Sequence, residues 1–430
     1  MSKFQTVRGM RDFLPSEAEQ LRFVEAAAKE VARLYGFEEV VTPIVESYEL
    51  LTAKSGEEIK TRMYAFNDLG GRRVALRPEF TASIARLMAT TLRNEPKPLR
   101  LFSSGTLYRY DEPQFGRYRE FWQSNFEVIG SNRPEADVEV LALTNHLMQK
   151  VGLRSYWFKV GHVGIVRGLL KEEGVEEEKQ NVIMQLLDTK RWDEALKTAE
   201  DFGVSAKAKD TLKAIFEAKG KDASKLLPPI KKKLRDYVSA VTAVENLQRI
   251  LELCEESGVK FDLSLETGFA RGLEYYTGMI FEVLVSEMDV SLGGGGRYDR
   301  LVEIFGGEPT PAVGVAHGLD RIFLAMEKQN AQPVIIKELV SVIPIGEEAV
   351  PRALAIALKL REKGVDVEVE VMGRAVSRAL QNADRRKAEY AVILGPKELE
   401  EGKVVLRDMK SRQQTVVDVA GLLDTLLHRT

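Results

Sequence analysis

The stretch YRYDEPQFGRYREFWQSNFE (108–127) concentrates side chains able to do chemistry. Arg109, Arg117 and Arg119 stand on or beside a short polar loop, where guanidinium groups can surround a polyphosphate or an RNA end. Gln123 and Glu127 follow, and their spacing of four places them on one face of a strand. A charge-rich turn is also the usual makeup of a solvated hairpin tip, and composition alone favours that blander reading. Upstream, LRPEFTA (76–82) sets Glu79 and Thr81 beside a proline. A carboxylate there can bind an ammonium group or satisfy a helix N-terminus. Downstream, ARGLEYYTG (270–278) groups Arg271, Glu274, Tyr275 and Tyr276, which suits either a ligand-lining turn or a packed strand edge. The run GGGGRYD (293–299) permits close backbone approach to a ligand. It matches neither the dinucleotide-binding nor the P-loop pattern. Arg321, in GLDRIF, is a candidate phosphate contact or an ordinary helix-surface cation.

These residues need elements to hold them. Residues 16–35 carry the helical period through Leu21, Val24, Ala28, Val31 and Tyr35, behind a capping box formed by Ser16 and Glu19. VVTPIVE (40–46) begins as a strand, with Pro43 marking an edge or a break. VALRPEFTASIARLM (74–88) reads as a strand that turns into a helix. The runs 100–110 and 119–130 read as an antiparallel hairpin with a long tip. From 165 to 255 the chain is Lys/Glu-rich and helical in period, as an insertion would be. Strands resume at 261–269 and 277–285, SLGGGGRYDRL (291–301) connects, and 311–326 runs from strand into helix. After a linker at 331–337, residues 338–430 alternate strand and helix as a small α/β domain, closing with a helix over about 416–427.

Composition bounds the rest. The chain has 430 residues, enough for two or three domains, and 44% of them are hydrophobic. Its formal net charge is −3, so any nucleic-acid binding rests on local patches. The single Cys254 and four scattered histidines (146, 162, 317 and 428) form no metal-ligand spacing, and no structural metal is expected. The N-terminus lacks the apolar core of a signal peptide, and no apolar run is long enough to span a membrane. The expected location is the cytoplasm.

Together the pieces resemble class II aminoacyl-tRNA synthetases, and specifically the histidyl-tRNA synthetase family. GFEEVVTPIVE (36–46) is similar to motif 1, the dimer-interface segment. GTLYRYDEPQFGRYREFWQ (105–123) is similar to motif 2, and GVAHGLDRIF (314–323) to motif 3. ARGLEYYTG and GGGGRYD resemble the two segments special to the histidine enzymes. The likeness spans nearly the whole chain. Ala270 and Glu274 depart from it, standing where the family more often has valine and aspartate.

The resemblance implies an α+β fold in a homodimer. An antiparallel sheet flanked by helices would form a catalytic domain over 1–330, with the helical insertion inside it. Residues 338–430 would bind the anticodon, with Arg374, Arg378, Arg385, Arg386 and Lys387 available to phosphates. The implied reaction joins histidine to tRNA(His) through a histidyl-adenylate, using ATP with magnesium. By the same likeness Arg109 and Arg271 approach the α-phosphate, Arg321 holds the γ-phosphate and Arg117 binds ATP, with Arg271 also touching the histidine. Glu79 and Gln123 would hold the histidine ammonium beside Thr81, and Glu127 and Tyr276 the imidazole, with Tyr275 adjacent. A regulatory paralogue, the subunit that partners ATP phosphoribosyltransferase, resembles the same core. It normally lacks the C-terminal domain and several motif residues that are present here. ARGLEYY and GGGGRYD argue against a class II enzyme for threonine, proline or glycine.

Overall fold

The computed structural model describes residues 4–53, 60–271, 275–333 and 339–427, the last without its side chain. Glu274, His428 and linker residues 334–337 lie outside the described residues. Two compact units divide the chain, Met1–Gln332 and Pro333–Thr430.

The first unit opens with the helix Pro15–Leu34, which buries Leu21, Val24, Ala28 and Val31 as the period predicts. Its start differs from expectation. Pro15 occupies the first turn, so Ser16 falls inside the helix, and Glu17 accepts the Leu14 N–H instead. The segment 40–46 is also split: β1 is Glu38–Glu39 and β2 is Val45–Ser47, with Pro43 in the break. β2 joins β3 (Ala65–Asn67) and β4 (Arg73–Leu76) in a small antiparallel sheet of order β2-β4-β3.

The large sheet comprises β1 together with two ten-residue strands and six shorter ones along the rest of the unit. These are β5 (Leu99–Tyr108), β6 (Glu120–Ile129), β7 (Trp157–His162) and β8 (Lys219–Gly220). They are followed by β9 (Asp262–Glu266), β10 (Met279–Leu284), β11 (Gly293–Arg297) and β12 (Ala312–Gly318). Their order is β1-β5-β6-β12-β11-β10-β7-β9-β8. Within this sheet, among the described residues, only β1–β5 and β7–β9 pair in parallel. The expected hairpin is β5–β6, with Tyr108 opposite Glu120 at its loop end.

Period-two alternation gives this sheet two different faces. Phe126, Val128, Phe281, Val283, Val313 and Val315 point into one apolar core with the helices Pro15–Leu34, Pro134–Lys150 and Leu319–Lys328. The residues between them face the opposite side, where the polar side chains gather. The expected insertion is helical, from Val163–Glu172 through Val238–Glu256, interrupted by β8, which pairs with β9 at the sheet edge.

The second unit is a five-stranded mixed sheet with helices. β13 (Val340–Pro344) lies between β14 (Val367–Val369) and β15 (Tyr390–Leu394), parallel to both. β16 (Lys403–Asp408) and β17 (Gln414–Asp418) continue it antiparallel. Residues 416–418, expected to open the closing helix, are therefore strand: TVV (415–417) is β-branched and pairs with β16. The closing helix is only Leu422–Leu427. No helix among the described residues is long and apolar enough to cross a membrane.

Candidate active site

The polar face of the large sheet holds a cavity of about 380 Å³. Its floor is β6, where Gln123, Asn125 and Glu127 alternate outward from the apolar core. Glu79 and Thr81 reach it from the turn and helix start that follow β4. Tyr275, Tyr276 and Tyr298 close one side, with the Tyr275 ring centroid 5.0 Å from that of Tyr276 and 5.7 Å from that of Tyr298.

Glu127 is 1% exposed and fully partnered. One carboxylate oxygen accepts from Thr81 Oγ1 at 2.9 Å and Asn125 Nδ2 at 3.2 Å. The other accepts from the Tyr298 hydroxyl. Burial pushes Glu127 up to about 7, against the pull of these three donors, and nearby Glu79 adds to the rise. Burial also raises Glu79, while Arg109 and a Tyr275 hydrogen bond oppose it. Buried Gln123 Oε1 has no partner among the described residues, which leaves an acceptor on the cavity wall.

At the other end four guanidinium groups converge. Arg109 is fixed by its Nε donating to the Pro78 carbonyl at 2.9 Å. Arg271 Nη1 donates to Phe281 O at 3.0 Å, and its Nε lies 4.0 Å from Glu282. Arg321 donates from Nε to Gly116 O and from Nη1 to Ser291 O, each at 2.9 Å. Arg117 is exposed at the rim. Burial, then repulsion from Arg109, Arg117 and Arg271, pushes Arg321 down to about 10. A group of cations that disfavour one another's charge is a site organised for an anion. Glu282 faces the same end; burial works against its charge, but Arg271 and Lys159 hold it below the usual carboxylate range.

The glycine run proves to be strand β11 at the middle of the sheet, not a connecting loop. Its glycines make room for side chains. A Cβ on Gly294 would sit 1.7 Å from Arg271 Nη1, and one on Gly314, in β12, 1.6 Å from Glu127 Oε2. Both key groups lie flat on bare backbone.

The ten residues to which the resemblance assigned substrate contacts line this one cavity: Glu79, Thr81, Arg109, Arg117, Gln123, Glu127, Arg271, Tyr275, Tyr276 and Arg321. Arg119 does not join them. It is 5% exposed, donates from Nε to Asp111 O at 3.0 Å and stacks 3.7 Å over the Tyr110 ring. Sequence reasoning missed Asn125 and Tyr298. Asn125 was available from the same alternation that paired Gln123 with Glu127. Tyr298 carries no such signal, because its approach to Glu127 spans 171 positions. Among the described residues, no three His, Cys, Asp or Glu side chains cluster as metal ligands.

An antiparallel sheet carrying convergent arginines at one end of a pocket and buried carboxylates at the other is the catalytic architecture of a class II aminoacyl-tRNA synthetase. Comparison with known proteins narrows this. The family model "Histidyl-tRNA synthetase" matches residues 9–322, and "Anticodon binding domain" matches 339–429. The histidine–tRNA ligase of Methanocaldococcus jannaschii is 41% identical over 418 residues, covering 97% of this chain and 98% of that protein. The fold matches histidyl-tRNA synthetase from Nostoc sp. PCC 7120 with a TM-score of 0.81 at 23% identity over the full length of both. An ATP phosphoribosyltransferase regulatory subunit/histidyl-tRNA synthetase from Bacillus halodurans aligns with a TM-score of 0.78 at 25% identity, over 92% of this chain and 100% of that one. The chain belongs to the histidyl-tRNA synthetase family.

Proposed function

We propose that this protein ligates histidine to tRNA(His) at the expense of ATP, through a histidyl-adenylate, releasing pyrophosphate and then AMP. The observation that carries the reading is the polarity of one pocket: four arginines at one end, two buried carboxylates at the other. The first end suits a nucleoside triphosphate and the second an amino acid with a hydrogen-bonding side chain.

In the first step the histidine carboxylate attacks the α-phosphate and pyrophosphate leaves. Arg109 and Arg271 approach that phosphate from opposite sides. Charge growing on its nonbridging oxygens meets guanidinium groups already fixed by the carbonyls of Pro78 and Phe281. Arg117 and Arg321 hold the outer phosphates. Magnesium would accompany ATP as its counter-ion, and Glu282 is a carboxylate at that end that could hold it. Glu79 and Gln123 take the ammonium. Glu127 accepts from an imidazole N–H, and Tyr276 donates to the other ring nitrogen. Thr81, Asn125 and Tyr298 aim Glu127. In the second step the terminal ribose hydroxyl of the tRNA takes the acyl group and AMP leaves.

Exposed Val41, Ile44, Val45 and Phe66, in and beside the segment similar to motif 1, support a homodimer. Residues 338–430 act on the anticodon, and the single, buried Cys254 suits a reducing cytoplasm. The test is pyrophosphate exchange with each of the twenty amino acids, followed by charging of total tRNA. Exchange and charging with histidine alone are expected. Binding of ATP and histidine without exchange would instead indicate a regulatory paralogue.

A further inference from the structure

The N-terminal segment before the first helix belongs to no catalytic motif, yet it packs against the back of the arginine-bearing loop. Gly9 O accepts from the Arg119 backbone N–H at 2.8 Å. Gly9 has φ +84°, and a Cβ there would lie 2.7 Å from Arg119 Cγ, so the two chains meet with no room between them. Two residues on, the Arg11 guanidinium pairs with Asp320, which is 3% exposed and neighbours Arg321. The second oxygen of Asp320 accepts the Trp122 backbone N–H at 2.5 Å. Arg11 also lies over the rings of Phe13, at 4.4 Å, and Tyr118, at 3.7 Å, and Phe13 meets Trp122 edge-on at 5.4 Å.

One side chain thus touches the two elements that carry Arg117 and Arg321. Tyr118 and Trp122 bracket the descending arm of the loop, and Asp320 opens the helix Leu319–Lys328. Within the loop Arg117 forms a single β-bridge with Gln114, and Gly116 O accepts from Arg321, so Arg11 adds a second tie between the same two elements. We propose that residues 8–13 form a strap that positions the phosphate-binding arginines, with Arg11 its principal positioning residue. Arg11 does not line the cavity and acts through Asp320 and Tyr118. The proposal rests on the reading that Arg117 and Arg321 hold ATP.

The test is histidine-dependent pyrophosphate exchange by the full-length protein and by Arg11→Ala, Arg11→Lys, Gly9→Ala and Arg321→Ala, each with a melting curve. Arg11→Ala should raise the KM for ATP about tenfold and leave that for histidine within about twofold, as expected when loop arginines are misplaced rather than removed. Arg11→Lys keeps the charge but loses the planar stacking on two rings, so it should recover only part of the loss. Gly9→Ala removes no charge, yet should shift the ATP constant in the same direction. A normal ATP constant in both Arg11→Ala and Gly9→Ala, with Arg321→Ala impaired, overturns the strap and spares the nucleotide site. A normal ATP constant in Arg321→Ala overturns the nucleotide reading itself. A joint rise of both constants with early melting, unrelieved by lysine, would make the segment a structural brace only, which also overturns the proposal.

Discussion

Glu127 shows how burial changes the ionisation of an ordinary carboxylate. Its ionisation is pushed up to about 7 from 4.5, so between these values the unfolded chain has lost a proton that the folded chain keeps. Its contribution to stability is therefore full below pH 4.5 and declines as pH rises to about 7, by about 3 kcal/mol at most. If Glu127 holds the imidazole as proposed, recognition runs the other way, because the charged carboxylate is the stronger acceptor. The kcat/KM for histidine should fall as pH drops through about 7. In Glu127→Gln that limb should flatten, while the KM for ATP stays near its normal value. A limb that survives the substitution assigns the ionisation to histidine itself. Arg271 lies at the other end, held by one hydrogen bond to Phe281 O and a 4.0 Å approach to Glu282. Arg271→Ala should slow adenylate formation roughly a hundredfold, about 3 kcal/mol, with histidine binding and melting temperature nearly unchanged. Early melting with normal chemistry per folded molecule would make it structural. Arg119 illustrates the limit of residue type as evidence: three arginines share one short segment, and only packing decides that Arg119 faces inward to Tyr110 and Asp111.

At the scale of elements, β11 and its neighbours set what the site can be. Adjacent glycines on this strand face opposite sides, so equal substitutions should fail differently. On Gly294 an added methyl meets the Arg271 guanidinium, the movable end of a long side chain, at 1.7 Å. Gly294→Ala should fold, bind histidine and lose most exchange activity. On Gly295 the methyl meets the Gly314 carbonyl oxygen at 2.0 Å, where only the sheet itself can give way. Gly295→Ala should lower the melting temperature or prevent folding, which thermal unfolding of the pair will show. At the end of β11, Arg297 donates to Asp137 on the helix Pro134–Lys150 at 2.6 Å, and both side chains are buried. Arg297→Met should cost about 3–5 kcal/mol, since it strands a buried carboxylate. The restoring double variant with Asp137→Leu should recover stability. The strand character of 293–297 was hidden in the sequence because glycine carries no β-propensity; pairing with β10 and β12 imposes it.

For the whole molecule, the two compact units suggest separable tasks. In the second, Arg378 and Arg385 lie seven apart on the helix Val376–Arg385 and are exposed, as are Arg386 and Lys387. Arg374 and Arg386 are partly engaged by Glu370 and Glu368. A protein ending before residue 333 should retain histidine-dependent pyrophosphate exchange and charge tRNA(His) poorly. Unchanged charging would remove the anticodon assignment. Charging by the full chain should weaken steeply with added salt, because phosphate contacts release counter-ions.

What the amino-acid order determined alone was local and periodic. Alternation on β6 placed Gln123 and Glu127 on one face, helical period set the first helix and the insertion, and a change of pattern near 331–337 suggested a second unit. These follow from neighbours in the chain, which share a backbone geometry. Only tertiary structure decided that Tyr298 rather than a nearer residue would cap Glu127, that β17 would replace part of a helix, and that Arg11 would meet Asp320 across 309 positions. Those choices depend on which distant groups are buried together, and a desolvated carboxylate takes whichever donor the packed sheet brings within reach.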